Sequence, residues 1–300
     1  MPQLDITRVR VRSLDTFRNE VSWELGGYED PLDYKMRVYR SESPEGPFNA
    51  ISPEFEDHYL FVDSTVPRGD IHRRLYYRIE SRHKLTNATT TTPSTAQEPE
   101  PDLLAAYIRL NELVLFTQVI GRKVWVFKAR TFGPRCQMCF DIRTQQRTRS
   151  NCPQCFNTGY LHGYHAPIEV WMQIDPSSRT VTNTPQQQQQ IANTTARMTS
   201  YPLLAPGDLV VEGENKRWRI MTITPTERLR AVCRQELTLV SIPMSDIEYK
   251  LPINLDRALR DMLISPVRMF SNATSPLEAK ETDIPDVFAS YQTYPRDPSR

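Results

Sequence analysis

The sequence is poor in glycine and contains no long apolar run. Glycine supplies 10 of the 300 residues, about 3% against a usual 7%, which argues against loops that cradle phosphate groups. No stretch approaches the roughly 18 consecutive apolar residues of a membrane-spanning helix, so we expect no membrane partner. The first residues have neither a basic n-region nor an apolar h-region, so we expect no secretory signal peptide.

Recognisable catalytic motifs are also missing. The chain has no G-x-S-x-G, H-E-x-x-H or G-x-G-x-x-G motif and no Walker loop. Its five histidines are scattered, and its carboxylates cannot be paired from sequence alone. We therefore predict that the protein is not an enzyme. The histidines are His58, His72, His83, His162 and His165.

Charge and length set broad limits. The 37 basic and 36 acidic residues give a net charge of +1, which excludes a globally basic nucleic-acid coat and an acidic tail protein but not a local patch. The length predicts two domains. Proline supplies 24 residues, about 8% against a usual 5%, which favours many short elements joined by rigid connectors.

The first hundred residues alternate apolar and polar side chains in short runs separated by turn signals. Five or six strands at this spacing predict a mainly β protein that begins with a β-sandwich over 1–95. We expect Trp23, Tyr77 and Ile79 in its core, and we expect the sandwich to fold as an autonomous unit. The predicted strands are marked by Ile6, Val9 and Val11; by Val21, Trp23 and Leu25; by Met36, Val38 and Tyr39; by Phe61 and Val62; and by Leu75, Tyr77 and Ile79.

This segment resembles a fibronectin type III module. The resemblance is carried by Val21-Ser22-Trp23, by the run from Tyr34 to Arg40 and by the run from Leu75 to Ser81. Leu75 departs from the pattern, because such modules usually carry a corner tyrosine there. The resemblance implies a sandwich that serves as a spacer or an adhesive surface, and it implies no chemistry.

A linker over 96–101 and a connector domain over 102–264 are predicted next. Asp102 can cap a helix that runs to about Gln118 and ends at Gly121. Its expected apolar face contains Leu104, Ile108, Asn111 and Leu115, with Leu103, Tyr107, Leu110 and Val114 alongside.

The rest of the connector domain is predicted from strand patterns and composition. A zinc ribbon over 130–165 follows a strand at Lys123–Lys128, and a small β-barrel covers 166–243. A short helix is expected over 256–263 and an extended tail over 265–300. The polar residues 176–200, with their glutamine run, are predicted to be a flexible segment.

Four of the five cysteines form the strongest signal in the chain. Cys136, Cys139, Cys152 and Cys155 make a C-x2-C pair repeated after 12 residues, a spacing that lets two knuckles hold one tetrahedral zinc ion. Four thiolates fill the coordination sphere, so the Zn2+ is predicted to be structural. His162 and His165 lie close in sequence but are expected in surface or supporting roles. Cys233 is expected to be a buried apolar residue.

The zinc segment is locally basic. From Arg122 to Arg149 there are eight Lys or Arg residues against Asp141, which leaves about +5 once four thiolates and Zn2+ contribute −2. One interpretation is contact with phosphates or an acidic partner. The other is that the arginines neutralise the metal centre, and the sequence does not separate the two.

The connector domain resembles bacteriophage virion proteins of the head-to-tail neck. The resemblance is carried by the runs Arg135 to Asp141, Gln146 to Cys155 and Thr158 to Tyr160 of the ribbon, and downstream by Pro206 to Val211, Trp218 to Ile220 and Arg234 to Leu239. The downstream runs look like the small β-barrel of head-closure proteins, from which a long loop projects. The place of that loop would be taken by 183–200.

The resemblance implies a structural virion component made in the host cytoplasm. It would form a homo-oligomeric ring of 6 or 12 copies that joins the portal vertex, through portal or adaptor proteins, to the tail proteins and helps to retain packaged DNA. The basic ribbon could face that DNA or an acidic protein. The alternatives are another tail or baseplate structural protein and a zinc-ribbon nucleic-acid-binding protein.

Two polar stretches, 176–200 and 265–300, suggest how a ring would be held together. Each has too little apolar surface to offset its own ordering entropy, yet each carries scattered apolar residues. We expect them to fill pockets on a neighbouring subunit as an extended arm. These residues are Ile191 and Met198 in the first stretch and Phe270, Ile284, Val287, Phe288 and Tyr291 in the second.

Overall fold

Strands dominate the part of the chain that the computed structural model describes. This part comprises residues 4–15, 17–66, 74–99, 102–176, 179–183, 188–212 and 215–253. Over 179–183 and 188–191 the description is of the backbone alone. The predicted helix over 256–263 and the predicted tail over 265–300 lie outside the described residues.

The N-terminal strands form two sheets. One sheet has the order β1-β2-β5, and the other has the order β4-β3-β6-β7, with β8 also pairing with β6. All of the pairings are antiparallel. The strands are β1 (Asp5–Asp15), β2 (Arg18–Gly26), β3 (Tyr34–Ser41), β4 (Asn49–Ala50), β5 (Leu60–Asp63), β6 (Tyr76–His83), β7 (Thr89–Thr91) and β8 (Thr95–Ala96).

The two sheets share a buried aromatic core. Trp23 on β2 is 3% exposed, and Tyr77 and Ile79 on β6 are fully buried, which confirms the three predicted core residues. The ring of Trp23 stacks on Phe55 with centroids 5.8 Å apart. Across the sheets, Asn19 Nδ2 donates to Tyr77 Oη at 2.9 Å. Whether the sandwich folds by itself stays a prediction.

The segment between the two predicted domains is more regular than its composition indicates. The strands β7 and β8 extend the second sheet to Ala96. The N–H of Glu98 then donates to Val11 O at 2.8 Å, so the predicted linker at 96–101 begins while still hydrogen-bonded to β1. These two strands consist mainly of threonines. The β-branched side chain of threonine favours a sheet even where no apolar pattern exists.

The C-terminal strands build a closed barrel of six strands. The order is β12-β9-β15-β16-β17-β14, and β14 pairs back to β12 through Met172 and Met198. The predicted range 166–243 therefore begins too late, because β9 belongs to the barrel. The strands after the helix are β9 (Arg122–Phe127), β10 (Phe140–Asp141), β11 (Gln146–Arg147), β12 (Ile168–Ile174), β13 (Arg179–Asn183), β14 (Gln188–Thr199), β15 (Leu209–Val211), β16 (Arg217–Arg228) and β17 (Ala231–Ser241).

The predicted flexible segment 176–200 is wrong where the structure describes it. β13 and β14 form an antiparallel hairpin, and the second half of β14 is a barrel strand. Along that half, Ala192, Thr194, Ala196 and Met198 are buried, and the residues that alternate with them are exposed. Met198 is fully buried in its own barrel, so it cannot anchor a neighbouring subunit. The alternation was missed because small and polar residues carry most of it.

The α-helix that lies within the described residues, α1 (Leu103–Val114), continues as a π-helical turn over Leu115–Ile120. Asp102 caps it by accepting a hydrogen bond from the N–H of Ala105, as predicted. Gly121 ends it, also as predicted, because a Cβ there would lie 2.0 Å from Phe116 O. The predicted end at Gln118 is two residues short.

The predicted apolar face of α1 is not the face that packs. Ala105, Arg109 and Leu113 are buried in the helix, whereas Leu104 and Leu115 of the predicted face are 48% and 37% exposed. Arg109 is buried because its guanidinium donates to Ser13 O, Leu14 O and Val232 O at 2.7–3.1 Å. A hydropathy pattern does not reveal an arginine that is buried because it donates to backbone carbonyls of two strands.

The helical stretch from Leu103 to Ile120 has 18 residues and a mean hydropathy of 1.4. By length and composition it could therefore cross a membrane, which the sequence analysis did not anticipate. In this structure its buried side packs on β1 and β17, and Arg109 is tied to both strands.

The Trp23 side chain provides the first test of the fold. We expect Trp23→Ala to lower the free energy of unfolding by about 3–5 kcal/mol, because a large buried ring is replaced by a cavity. Tyr28→Ala is the matched control, since Tyr28 is 98% exposed, and it should change stability by less than about 0.5 kcal/mol. Urea titration followed by circular dichroism measures both. Equal stability of the two variants would contradict the assignment of Trp23 to the core.

Candidate metal centre

The four-cysteine segment is an insertion between two neighbouring barrel strands. β9 ends at Phe127 and β12 begins at Ile168, and the two strands pair directly through Val126 and Ile168. Two isolated bridges close the base of the insertion, one between Ala129 and Tyr164 and one between Arg135 and Tyr160. The barrel therefore fixes both ends of the insertion.

The four sulfur atoms come together in one buried cluster. Cys136, Cys139, Cys152 and Cys155 are at most 2% exposed, and their Sγ atoms all lie within 4.8 Å of one another. The Cys136–Cys152 separation is 3.7 Å and the Cys139–Cys155 separation is 3.2 Å. A tetrahedron with metal–sulfur bonds of about 2.3 Å has edges of about 3.8 Å, whereas a disulfide is about 2.05 Å long. The cluster fits a metal ion and not a pair of disulfides.

The two halves of the cluster are built alike. In each half the chain turns so that a phenylalanine N–H donates to the carbonyl of the first cysteine at 3.0 Å, Phe140 to Cys136 and Phe156 to Cys152. Backbone N–H groups also point at sulfur, from Met138 to Cys136 and from Gln154 to Cys152. Such donors stabilise thiolates, which are the form that binds a metal.

The thiol pKa values show how the protein environment treats the sulfurs. Burial and the neighbouring sulfur atoms raise the pKa of Cys139 well above its usual range. Burial also acts to raise the pKa of Cys152, but backbone N–H bonds from Gln154 and Cys155 outweigh it and lower that pKa to about 7. Without a cation the cluster therefore keeps protons on some sulfurs, so metal binding must release them.

A short ribbon and a tight return complete the insertion. β10 and β11 pair through Phe140–Arg147 and Asp141–Gln146 directly after the first cysteine pair. After the second pair the chain returns past Gly163 (φ +69°), where a Cβ would lie 2.5 Å from Cys155 O. Only glycine fits there without displacing the metal-binding backbone. Sequence reasoning missed Gly163, although its rarity in this chain was a usable signal.

A buried ion pair anchors the insertion on the sandwich. Arg130 is fully buried and bonds to Asp57, a residue of the loop before β5. The ring of His165 packs beside Tyr59 with centroids 5.1 Å apart, and its Nδ1 lies 3.5 Å from Asp57 Oδ1. The N–H of Ala166 also donates to Asp57 O at 3.1 Å. Asp57 and Arg130 were not identified from the sequence, because nothing in it pairs positions 73 residues apart.

The two histidines near the cluster do not join it. His162 Nε2 lies 2.8 Å from Asp30 Oδ2 on the sandwich, and His165 faces Asp57. Both instead attach the insertion to the sandwich, a role that the sequence did not predict. Cys233 is buried in β17 at 3% exposure, as predicted.

The basic patch is smaller than the sequence indicates. Four of its eight cations pair with carboxylates from other parts of the chain, so the estimate of +5 for Arg122–Arg149 does not describe a free surface. The pairs are Arg122–Glu212 at 3.0 Å, Lys123–Glu169 at 2.8 Å, Lys128–Asp208 at 2.9 Å and Arg130–Asp57.

The other four of the eight cations are arginines of the ribbon. Within the described residues none of them forms an ion pair; Arg135 instead lies between the rings of Phe140 and Tyr160. Arg143, Arg147 and Arg149 are exposed. With Asp141, four thiolates and a divalent ion, the ribbon carries a net charge of about +1.

Comparison with known proteins adds no family to this description. A scan against protein-family models found no match, and a search of curated proteins found no similar sequence.

The cysteine cluster predicts a metal-dependent local fold. We expect Cys139→Ser to lose the bound metal and to become sensitive to protease between residues 130 and 165, because metal-binding energy stabilises the ribbon. Cys233→Ser is the matched control, since Cys233 lies outside the cluster, and it should keep its metal. Elemental analysis and limited proteolysis measure the two effects. Equal metal content in both variants would contradict the assignment.

The buried His165 predicts a pH dependence of stability. Burial, reinforced by the charge of Arg130, lowers the pKa of His165 from 6.5 to about 4. The unfolded chain therefore binds one proton more than the folded chain between these pH values, and stability falls as the pH drops from about 6.5 to about 4. The loss is about 3 kcal/mol.

Chemical denaturation at a series of pH values measures this loss. In the variant His165→Gln the decline over the same pH range should shrink by most of that amount, whatever the stability of the variant at neutral pH. An unchanged decline in the variant would show that other groups cause it.

Proposed function

We propose that the protein is a structural component of the head-to-tail neck of a tailed bacteriophage. In this role it forms a ring that joins the portal vertex to the tail and helps to retain DNA. The observation that carries the proposal is the closed six-stranded barrel with two additions, the metal-binding insertion between β9 and β12 and the hairpin of β13 and β14. The resembling head-closure proteins combine a small barrel with a projection in the same way.

The N-terminal part fits a fibronectin type III module within this proposal. Its strand orders, β1-β2-β5 and β4-β3-β6-β7, correspond to the two sheets of that sandwich, with a buried tryptophan on the second strand. A module of this kind supplies an attachment surface and no catalysis. In a virion neck it would contact an adjacent virion protein.

The metal in the proposal is zinc, held by Cys136, Cys139, Cys152 and Cys155. Four thiolates in tetrahedral arrangement are typical of a structural zinc site, and they leave no position open for water or substrate. The elemental analysis described above should therefore return about one zinc per chain. A different metal, or none in protein purified without chelators, would overturn this part of the proposal.

A zinc-ribbon nucleic-acid-binding protein is the second candidate. The four exposed arginines of the ribbon favour it. The ribbon's net charge of about +1 disfavours it, because non-specific affinity for nucleic acid comes from several uncompensated cations. We therefore place an acidic protein surface, rather than packaged DNA, against the ribbon.

Localisation in the particle tests the neck assignment. An antibody against the sandwich should label purified virions at the junction of head and tail, and light scattering should detect a ring of 6 or 12 copies in the released neck. Labelling along the tail or at the baseplate would support the other structural candidate. Absence from the particle, together with DNA binding that Arg143→Glu and Arg149→Glu abolish, would replace the proposal with the nucleic-acid-binding one.

A further inference from the structure

The outer face of the helical stretch 103–120 is an apolar surface that no described part of the chain covers. The helix packs on the rest of the molecule with its opposite side, through Ala105, Arg109 and Leu113. Contiguous exposed apolar patches mark interaction sites more often than scattered apolar residues do. The exposed side chains are Leu103 (79%), Leu104 (48%), Tyr107 (62%), Leu115 (37%), Val119 (61%) and Ile120 (39%).

This face carries no free charge. The charged residues of the stretch are Arg109 and Glu112. Arg109 is buried, and Glu112, whose side chain is 18% exposed, pairs with Arg234 at 3.6 Å. A nucleic acid or a charged protein surface would therefore find no ionic partner here. A helix that binds a lipid surface usually presents lysines and arginines beside its apolar face, and this helix has no exposed cation. The chemistry of the face favours a partner that is itself apolar and uncharged.

The size of the face matches one half of a stable interface. The six side chains together expose about 600 Å² of mostly apolar surface, the upper end of the largest patch on a typical monomer. The ion pair of Asp102 with Arg228 also brings Leu229, 75% exposed, near the start of α1. Two such faces in contact would bury about 1,200 Å², which reaches the lower limit for specific, stable interfaces.

The spacing of the exposed residues suits a second copy of the same helix. Five exposed residues lie four positions apart and so follow one side of the helix. Reversal of the chain direction about the central residue exchanges Leu103 with Val119 and Tyr107 with Leu115. Two antiparallel copies would therefore set apolar side chains against apolar side chains on both sides of the centre. The five residues are Leu103, Tyr107, Asn111, Leu115 and Val119.

Asn111 lies at the centre of this row and is exposed. An asparagine side chain has both a donor and an acceptor, so two copies of Asn111 that face each other can exchange two hydrogen bonds. A single polar residue within an apolar helix seam specifies the register of the two helices. Asn111 would thus fix the pairing that the apolar side chains stabilise.

We propose that this face binds the same face of a second copy of the chain, with the two helices antiparallel across a two-fold axis at Asn111. Such a contact uses the same patch on both copies. It joins chains in pairs and closes no ring by itself, so the inference does not rest on the neck function.

Sedimentation equilibrium of the full chain tests the pairing. The unaltered chain should form dimers reversibly, and Leu103→Glu should raise the dissociation constant at least about tenfold, because each copy would bury a carboxylate against apolar side chains. An acidic residue in the first turn does not weaken a helix, so the loss of dimers would not reflect unfolding. Leu85→Glu is the matched control, since Leu85 is 86% exposed in the turn between β6 and β7, and it should pair like the unaltered chain.

Photo-crosslinking tests the antiparallel arrangement. The photoreactive residue p-benzoylphenylalanine replaces Tyr107 in the full chain, and in the control it replaces Tyr28, which is 98% exposed on the sandwich. Trypsin cleaves after Lys84, Arg109 and Arg122, so the two halves of the helical stretch fall into the peptides 85–109 and 110–122. In a mixture of isotope-labelled and unlabelled chains, position 107 should crosslink to 110–122 of the other copy, and position 28 should not.

Four results would overturn the proposal. The first is a full chain that stays monomeric at every concentration, and the second is an equal dissociation constant for Leu103→Glu and Leu85→Glu. The third is a crosslink from position 107 to 85–109 of the other copy, or to no peptide of it. The fourth is flotation of the unaltered chain with phosphatidylcholine vesicles that Leu103→Glu abolishes, because lipid would then be the occupant of the face.

Discussion

The buried ion pair between Arg130 and Asp57 is the constraint on which the arrangement of this molecule depends. A buried charge is costly unless it meets an opposite charge with good geometry, and removing one partner leaves the other uncompensated. Arg130 belongs to the base of the metal-binding insertion, and Asp57 to the loop before β5. The pair therefore ties the insertion to the sandwich, and the barrel strands β9 and β12 hold the insertion at both ends.

The ion pairs affect the orientation of the cysteine cluster but not its internal geometry. Its four sulfurs, the amides that point at them and the glycine at position 163 form a self-contained unit, which the barrel holds at both ends through β9 and β12. The contacts of His162 with Asp30 and of Arg130 with Asp57 then decide which way the unit faces. The cysteine cluster and its backbone turns shape the insertion, and ion pairing orients it.

Local sequence patterns predicted the local features well. Period-two alternation located the main strands of the sandwich, Asp102 and Gly121 marked the limits of the helix, and the cysteine spacing identified the four sulfur atoms that cluster. These signals depend on neighbours within a few residues. Long-range pairing was not predictable in this way: Arg109 was left out of the expected packing face of the helix, and Arg130 was counted in the basic segment. Both are buried, and the sequence did not reveal this because their partners lie far away along the chain.

The polar stretch before Thr199 shows a second limit. Strand formation there depends on β-sheet partners rather than on apolar side chains, so composition alone favoured a flexible segment. β14 pairs with β13 at its start and with β12 and β17 further along. In the barrel portion, side chains such as Ala196 and Met198 carry the inward-facing pattern.

This division of β14 has a consequence for how the protein tolerates changes in length. The glutamines at 188–190 pair with β13, outside the closed barrel, and consecutive identical residues carry no information about register. The register of the strand must then be set at its other end, by the small and apolar residues that fill the barrel. Gain or loss of glutamines in the run would lengthen or shorten the hairpin by pairs of residues and leave the barrel intact. The reach of the hairpin can thus change without any change in the scaffold that carries it.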